Sequence, residues 1–289
     1  MSEVPACAVL LAKEFRQFEV NVATGGGREV PLTVFHPDAP GEYPLIVFSH
    51  GAFAAPDRYG NMLGPLAAAG HIVIAPMHVD SEEFDSSQPP SAAQTWQTRN
   101  ADMALSLGVP RSLIEALQSK GLNIDQSQVI AMGHSYGALM AQLAGGARAI
   151  EDDGSKPDRR EASVDAVIAW SPPGIIPGRM APESWRALAV PSLTITGTAD
   201  VLPGFIDNWE DHKASYDHAP GGSATLWVGE GVDHYFGGLF GREKPADPAS
   251  QRLFQQALQR ALAFAQDNTG AIDRCTPSAI IEGESIETR

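Results

Sequence analysis

Gly133-His134-Ser135-Tyr136-Gly137 follows the apolar run Gln128-Val129-Ile130-Ala131-Met132 and leads into a small-residue, helix-like stretch from Ala138 to Ala149. An apolar run with β-branched residues, then Gly-x-Ser-x-Gly, then a helix reads as strand, sharp turn and helix, with the serine at the apex. Such a turn strains the backbone of its serine, and larger residues at 133 and 137 would collide with the neighbouring strand and helix. The Ser135 hydroxyl is thereby lifted clear of the sheet. Gly-x-Ser-x-Gly also occurs in ordinary loops, so its meaning depends on the rest of the chain.

Upstream, Phe15 to Val22 and Arg28 to Phe35 alternate as two antiparallel strands around Gly25-Gly26-Gly27, and Tyr43 to Phe48 is a continuous apolar run of the kind buried on both faces. Arg58 to Ala69 reads as a helix and His71 to Pro76 as another buried strand. Val79 to Pro90 is a polar surface excursion. Ser91 to Lys120 is helical in pattern, interrupted by Pro110, which starts a second helix at Arg111. Downstream, Val164 to Trp170, Ser192 to Gly197 and Ser223 to Val228 are strands, Pro203 to His218 holds a helix, and Ala249 to Gln266 has helical periodicity. The irregular segment from Ser171 to about Val190, with Trp185 in its middle, is the one lid candidate and is short.

Alternating strands and helices imply an α/β fold: a mostly parallel central sheet with an antiparallel start and helices on both faces. Right-handed crossovers place the loops after Phe48, Met132, Ile195 and Val228 on one sheet edge. The expected organisation is a lead-in at 1–14, one domain over 15–266, and a polar tail at 267–289 ordered only by docking.

Composition bounds the partners. With 35 acidic and 20 basic residues the formal net charge is -15, which repels polyanions and argues against nucleic acid. A 43% hydrophobic content with no apolar run near the roughly 18 residues of a membrane span argues against an integral membrane segment. The N-terminal apolar patch Ala6 to Ala12 follows Glu3 and no basic residue, unlike a secretory signal, so the expectation is cytoplasmic. Cys7 and Cys275 are the two cysteines, near opposite ends; two free thiols are expected, the alternative being a single staple between the termini if the tails meet.

A serine hydroxyl needs a base, and the base an orienting group. The segment Thr194 to Asp200 runs from strand to loop and ends in an acid, and Gly229 to His234 ends in a histidine. The order Ser135, Asp200, His234 puts acid and base at successive strand ends beside the elbow. His234 would take the serine proton and Asp200 would fix the imidazole tautomer, a scheme that calls for no metal and no cofactor. Asp207, within the expected helix, and Asp233, adjacent to the histidine, are alternates for the acid. An oxyanion needs donors: the Tyr136 N-H at the start of the elbow helix, and a second from the loop after Phe48, at Ala52 or neighbouring Phe53. His134 is expected beneath the elbow. The pairs His71/His78 and His212/His218 lack further ligands for a metal site.

On Ser49-His50-Gly51-Ala52, Gly133-His134-Ser135-Tyr136-Gly137, Gly197-Thr198-Ala199-Asp200 and Asp233-His234, the chain resembles the α/β-hydrolase superfamily over roughly residues 15 to 266. The texture is similar to the branch of dienelactone-hydrolase-like proteins, platelet-activating-factor acetylhydrolases and bacterial polyester hydrolases. The resemblance implies Ser135 as nucleophile, Asp200 as acid, His234 as base, and Ala52 with Tyr136 as the oxyanion pair. True dienelactone hydrolases carry cysteine at the elbow, so the serine here favours ordinary carboxylic ester hydrolysis of a small-molecule substrate. Acyl transfer, perhydrolysis and amide hydrolysis use the same triad, and a non-catalytic binding protein on this scaffold would normally lack one of its members. Phe53, Met77, His78, Trp170, Trp185, Tyr235 and Phe236 fall near strand ends or in the lid candidate and are expected to line the pocket.

Overall fold

From Leu45 to Phe48 every side chain is buried, and successive residues serve opposite faces: Leu45 and Val47 enter one core, Ile46 and Phe48 the other. Period-two alternation along a strand with both faces covered requires this. The same division holds for Ile72 and Ile74 against Val73 and Ala75, and for Val129 and Ala131 against Ile130 and Met132. Truncating any of them to a smaller side chain would open a cavity against a packed helix, and an Ile46→Ala change falls in the class that costs about 2–5 kcal/mol.

The computed structural model describes residues 6–84, 88–240, 247–269 and 274–289. Its strands are β1 (Phe15–Ala23), β2 (Glu29–Pro37), β3 (Gly41–Ser49), β4 (Ile72–Pro76), β5 (Leu122–His134), β6 (Ala166–Trp170), β7 (Ser192–Ala199), β8 (Ala224–Asp233) and β9 (Glu284–Thr288). Its helices are α1 (Cys7–Leu11), α2 (Gly60–Ala68), α3 (Ala92–Leu107), α4 (Arg111–Gln118), α5 (Tyr136–Ala144), α6 (Ala214–His218) and α7 (Pro248–Thr269). One sheet has the order β1-β2-β4-β3-β5-β6-β7-β8-β9. Neighbours from β4 through β8 pair in parallel; β1, β2 and β9 run antiparallel to their partners. The expected mostly parallel sheet with an antiparallel start is therefore present.

Helices α1, α2 and α7 pack on one face, while α3, α4, α5 and α6 pack on the other. Ser91 starts α3 with a reciprocal capping box, accepting from the Gln94 N-H and donating its own N-H to the Gln94 side chain. Val109 at φ 46 and Pro110 then end it and open α4, as the proline implied.

Two expectations need correction. The segment 171–190 is not a lid: Met180, Trp185 and Leu188 are buried in the core beside α5, and the Trp185 indole donates to Gln142 Oε1. The helix expected within 203–218 is present at its C-terminal end as α6. Asp207 accepts the Gly204 N-H in a turn, a 3-10 turn follows at Trp209–Lys213, and only α6 is α-helical, because Asx chemistry competes with helix there. Finally, Cys7 and Cys275 are not free thiols but a disulfide, with Cα atoms 4.8 Å apart.

The termini meet because α1 packs against α7 and the Cys7 N-H donates to Thr276 O. Chain-end proximity of this kind has no local sequence signal. Disulfides persist in oxidising compartments, so the cytoplasmic expectation does not follow from this chain. Residues 284–288 extend the sheet as β9 along β8. No described helix is long and apolar enough to cross a membrane.

Candidate active site

The parallel strands β3, β5, β7 and β8 deliver their C-terminal ends to one edge, which is where Ala52, Ser135, Asp200 and His234 lie. Ser135 sits between β5 and α5 at φ 52 and ψ -122, a conformation strained for a residue with a Cβ. A Cβ on Gly133 would stand 2.2 Å from Gly137 O, and one on Gly137 would stand 1.9 Å from Ser49 O. Both glycines are therefore steric necessities, the first against the helix start and the second against the end of β3.

His234 Nδ1 lies 2.7 Å from Asp200 Oδ1, and Thr196 Oγ1 donates to Asp200 Oδ2 at 2.8 Å. Burial by itself would raise the Asp200 carboxyl, but contacts from His212 and His234 hold it far below the usual carboxylate range. The alternate acids do something else: Asp207 closes the turn at Gly204, and Asp233 accepts the N-H groups of Tyr235 and Gly237. Ser135 and His234 line the same cavity of about 390 Å³, together with Gly51, Ala52, Phe53, Leu202 and Tyr235. A second cavity of about 590 Å³, beside Tyr136 and Phe84, shares Ala52 and Phe53 with it.

The loop after β3 is held from behind. Arg99, fully buried on α3, donates through Nη1 to His50 O at 2.7 Å and through Nη2 to Gly51 O at 3.0 Å, and it is bidentate to Asp80 at 2.8 and 2.9 Å. In a trans peptide the C=O and N-H point in opposite directions. Gripping Gly51 O therefore aims the Ala52 N-H away from Arg99. The Phe53 N-H instead faces Asp80 Oδ2 at 3.4 Å. The guanidinium also lies 4.6 Å from the centre of the Tyr136 ring, so one buried cation braces both residues expected to supply oxyanion donors. Burial alone would raise Asp80; Arg99 overrides it and lowers the carboxyl.

A directed hydrogen-bond chain ties that loop to His234. His134 Nε2 is 2.9 Å from His234 O, which only accepts, so Nε2 carries the proton. Burial pushes the His134 imidazolium down to about 3 and keeps the ring neutral, so Nδ1 accepts from Tyr59 Oη at 2.9 Å. Tyr59 Oη in turn accepts the Gly51 N-H at 3.0 Å. His134 is beneath the elbow, as expected.

The family model described as chlorophyllase matches residues 13–150, just under half of the chain and ending before Asp200 and His234. A protein of Schizosaccharomyces pombe described as "Putative phospholipase A2" is 30% identical over 82 residues, which are 27% of this chain and only 19% of that protein. A crystal structure described as "Putative Dienelactone Hydrolase from Klebsiella pneumoniae subsp. pneumoniae MGH 78578" superposes with a TM-score of 0.60 at 15% identity, over 84% of this chain and 97% of that one. The chain has the α/β-hydrolase fold.

Not every expected pocket residue reaches a cavity. Phe53 and Tyr235 line the one that holds Ser135. Met77 continues the sheet edge by donating its N-H to Pro31 O, and His78 is fully buried under the loop after β3. Trp170 and Phe236 pack edge-on at 5.2 Å inside the core, and Trp185 is buried beside α5. Proximity to a strand end does not say which way a side chain faces.

Two contributors were not anticipated. Arg99 had a usable signal, because Trp96, Arg99 and Met103 share one buried face of α3 at helical spacing. His212 had none: it lies in an irregular turn 12 residues after Asp200, and its contact is set by tertiary packing.

Proposed function

We propose that this chain is a serine carboxylic ester hydrolase that works through an acyl-enzyme on small or medium uncharged esters. The observation that carries the reading is the His234 Nδ1 to Asp200 Oδ1 contact in a cavity that also exposes Ser135 at a strained turn. His234 takes the Ser135 Oγ proton as the oxygen attacks the acyl carbon. The tetrahedral oxyanion is met by the N-H groups of Ala52 and Tyr136, the latter in the first turn of α5, where helix N-H groups lack intrahelical acceptors. Collapse passes the proton from His234 to the leaving alkoxide and releases the alcohol. Water then repeats the sequence on the acyl-enzyme and releases the acid. Asp200 holds the Nδ1 proton and stabilises the imidazolium formed at each step.

The walls favour neutral substrates. Phe53, Leu202, Tyr235 and Phe240 give the Ser135 cavity an apolar lining, while Arg58 there is paired with Glu82 and Glu83. The adjoining cavity holds Asp80 and Glu82 beside Phe84, Pro89 and Pro90. An ester seated at Ser135 extends past Phe53 into that second space, whose charged side chains, Asp80 and Glu82, are both acidic and offer a carboxylate no cation on the cavity wall. Two of the named relatives, a hydrolase and a phospholipase, support a hydrolytic reading.

The test is hydrolysis of short-chain aryl esters by the wild type and Ser135→Ala, with fluorophosphonate labelling of the folded protein. Labelling at Ser135 with loss of activity in the variant is expected; undiminished turnover in Ser135→Ala overturns the reading. In a graded panel, neutral esters should outperform otherwise equal esters that carry a terminal carboxylate.

A further inference from the structure

His212 is fully buried, and each of its ring nitrogens faces an oxygen that can only accept. Nδ1 is 2.7 Å from Pro172 O, and Nε2 is 2.9 Å from Asp200 Oδ1. The Nε2 contact is poorly aligned for a hydrogen bond and is ionic in character, since no directed partner satisfies that nitrogen. A neutral imidazole would turn one lone pair towards a carbonyl or a carboxylate; only the doubly protonated ring suits both. Asp200 Oδ1 is the same oxygen that His234 Nδ1 contacts at 2.7 Å, and the two imidazole rings stand 5.7 Å apart. These are hydrogen-bond separations. Two ligands at about 2 Å on a tetrahedral ion would stand roughly 3.3 Å apart, so the cluster of Asp200, His212 and His234 is built for protons.

We propose that His212 is a permanently protonated positioning residue, a buried imidazolium that shares the Asp200 carboxylate with His234 and keeps His234 available as a base at lower pH. This rests on the triad proposed above. Burial works against the charged ring, yet Asp200 and the Pro172 carbonyl turn the net shift upward. The consequence for His234 is electrostatic. A lone carboxylate stabilises the imidazolium that forms when His234 accepts a proton, whereas a carboxylate already neutralised by His212 stabilises it less, and the resident cation repels it.

The other groups facing His234 do not supply this effect. His134, with its ring 4.8 Å away, is kept neutral by burial; Tyr235 presents an aromatic ring at 5.1 Å; Arg58 and Glu82 across the cavity are paired with each other. His212 is thus the one cation in contact with the Asp200 carboxylate among the described residues.

The experiment uses the whole protein and two readouts. In wild type labelled with 15N-histidine, both His212 ring nitrogens should show N-H shifts at pH 7; a neutral ring there overturns the proposal. In His212→Gln, which keeps N-H donors without the charge, the NMR titration midpoint of His234 and the acid limb of kcat/KM for an aryl ester should both move up by about one pH unit. On the acid limb, well below the midpoint, that is about tenfold lower kcat/KM, with the plateau at high pH within about threefold. An unmoved acid limb with a lowered plateau is the signature of a merely structural role and overturns it too. Should His212→Gln fail to fold, the wild-type spectrum still decides the protonation state on which the proposal stands. Should wild type neither turn over esters nor label at Ser135, the triad reading fails, while the two NMR measurements still test His212 alone.

Discussion

This α/β-hydrolase fold holds a second grouping of serine, histidine and aspartate on the same sheet edge as Ser135, His234 and Asp200, and only the latter opens to a cavity. Ser49 Oγ lies 2.8 Å from His78 Nε2, and His78 Nδ1 lies 3.0 Å from Asp102 Oδ2. Burial lowers His78 and keeps it neutral, so its Nδ1-H donates to Asp102 and its Nε2 accepts from the Ser49 hydroxyl. Those are the contacts a catalytic triad makes. Yet Ser49, His78 and Asp102 are all sealed from solvent, and Asp102 is closed off further by an ion pair with Arg28. Ser49 ends β3 in the sheet register, opposite Gly133, whereas Ser135 is thrown out of it by a left-handed backbone. Residue types and distances therefore do not make a nucleophile. What separates the two is exposure: Ser135 stands at a strained apex that lines a cavity, and Ser49 is sealed.

The sharpest way to break that contrast is to delete each hydroxyl. Ser135→Ala should lose on the order of 10⁴-fold or more in kcat. Ser49→Ala should stay within about tenfold of wild type and should instead lose about 1–3 kcal/mol of stability, because His78 Nε2 is left buried without a donor. Ester kinetics and urea melts on both variants measure this. Equal losses of activity would show that the buried chain takes part in turnover.

Arg99 joins the two regions, since it grips the carbonyls of His50 and Gly51 while the His78 N-H donates to His50 Nε2 at 3.0 Å. Arg99→Lys retains the charge but cannot fork between two carbonyls and Asp80. We expect kcat to fall about 10- to 100-fold, short of a full oxyanion-donor loss, with KM nearly unchanged. A change confined to KM would place Arg99 in substrate binding rather than behind the Ala52 amide.

Much of the fold is legible in the sequence. The β-branched runs, the turn glycines and the order Ser135, Asp200, His234 carry local signals: strands need alternation or continuous apolarity, and the elbow needs glycine where a Cβ would meet backbone. The contacts that were not legible are all between elements. The disulfide of Cys7 with Cys275 depends on α1 docking against α7, and β9 depends on an open edge of β8. His78 and Trp170 were expected at the pocket because they sit near strand ends, and both point into the core instead. Facing direction at a strand end is decided by one residue of register, and apolar runs that alternate between two cores do not reveal it.

The last comparison concerns the two carboxylates, whose environments drive stability in opposite directions with pH. Asp200 is held below its ordinary value of 3.8 by His212 and His234 despite burial, so its contribution to folding is present above about pH 4 and is lost as the pH falls below it. Asp102 is raised from 3.8 to about 6, because burial outweighs Arg28. Between those values the folded state binds the extra proton, so the Asp102 site loses stability as pH rises from about 4 to about 6, by up to about 3 kcal/mol. Urea unfolding of wild type, Asp102→Asn and Asp200→Asn from below pH 4 up to about pH 6 should therefore give difference curves of opposite slope, each in its own part of the range. Relative to wild type, Asp102→Asn should improve as pH rises through 4 to 6, and Asp200→Asn should improve only as pH falls below 4. Slopes of the same sign would mean that the two Ser-His-Asp chains are electrostatically alike, and that exposure alone distinguishes the one at Ser135.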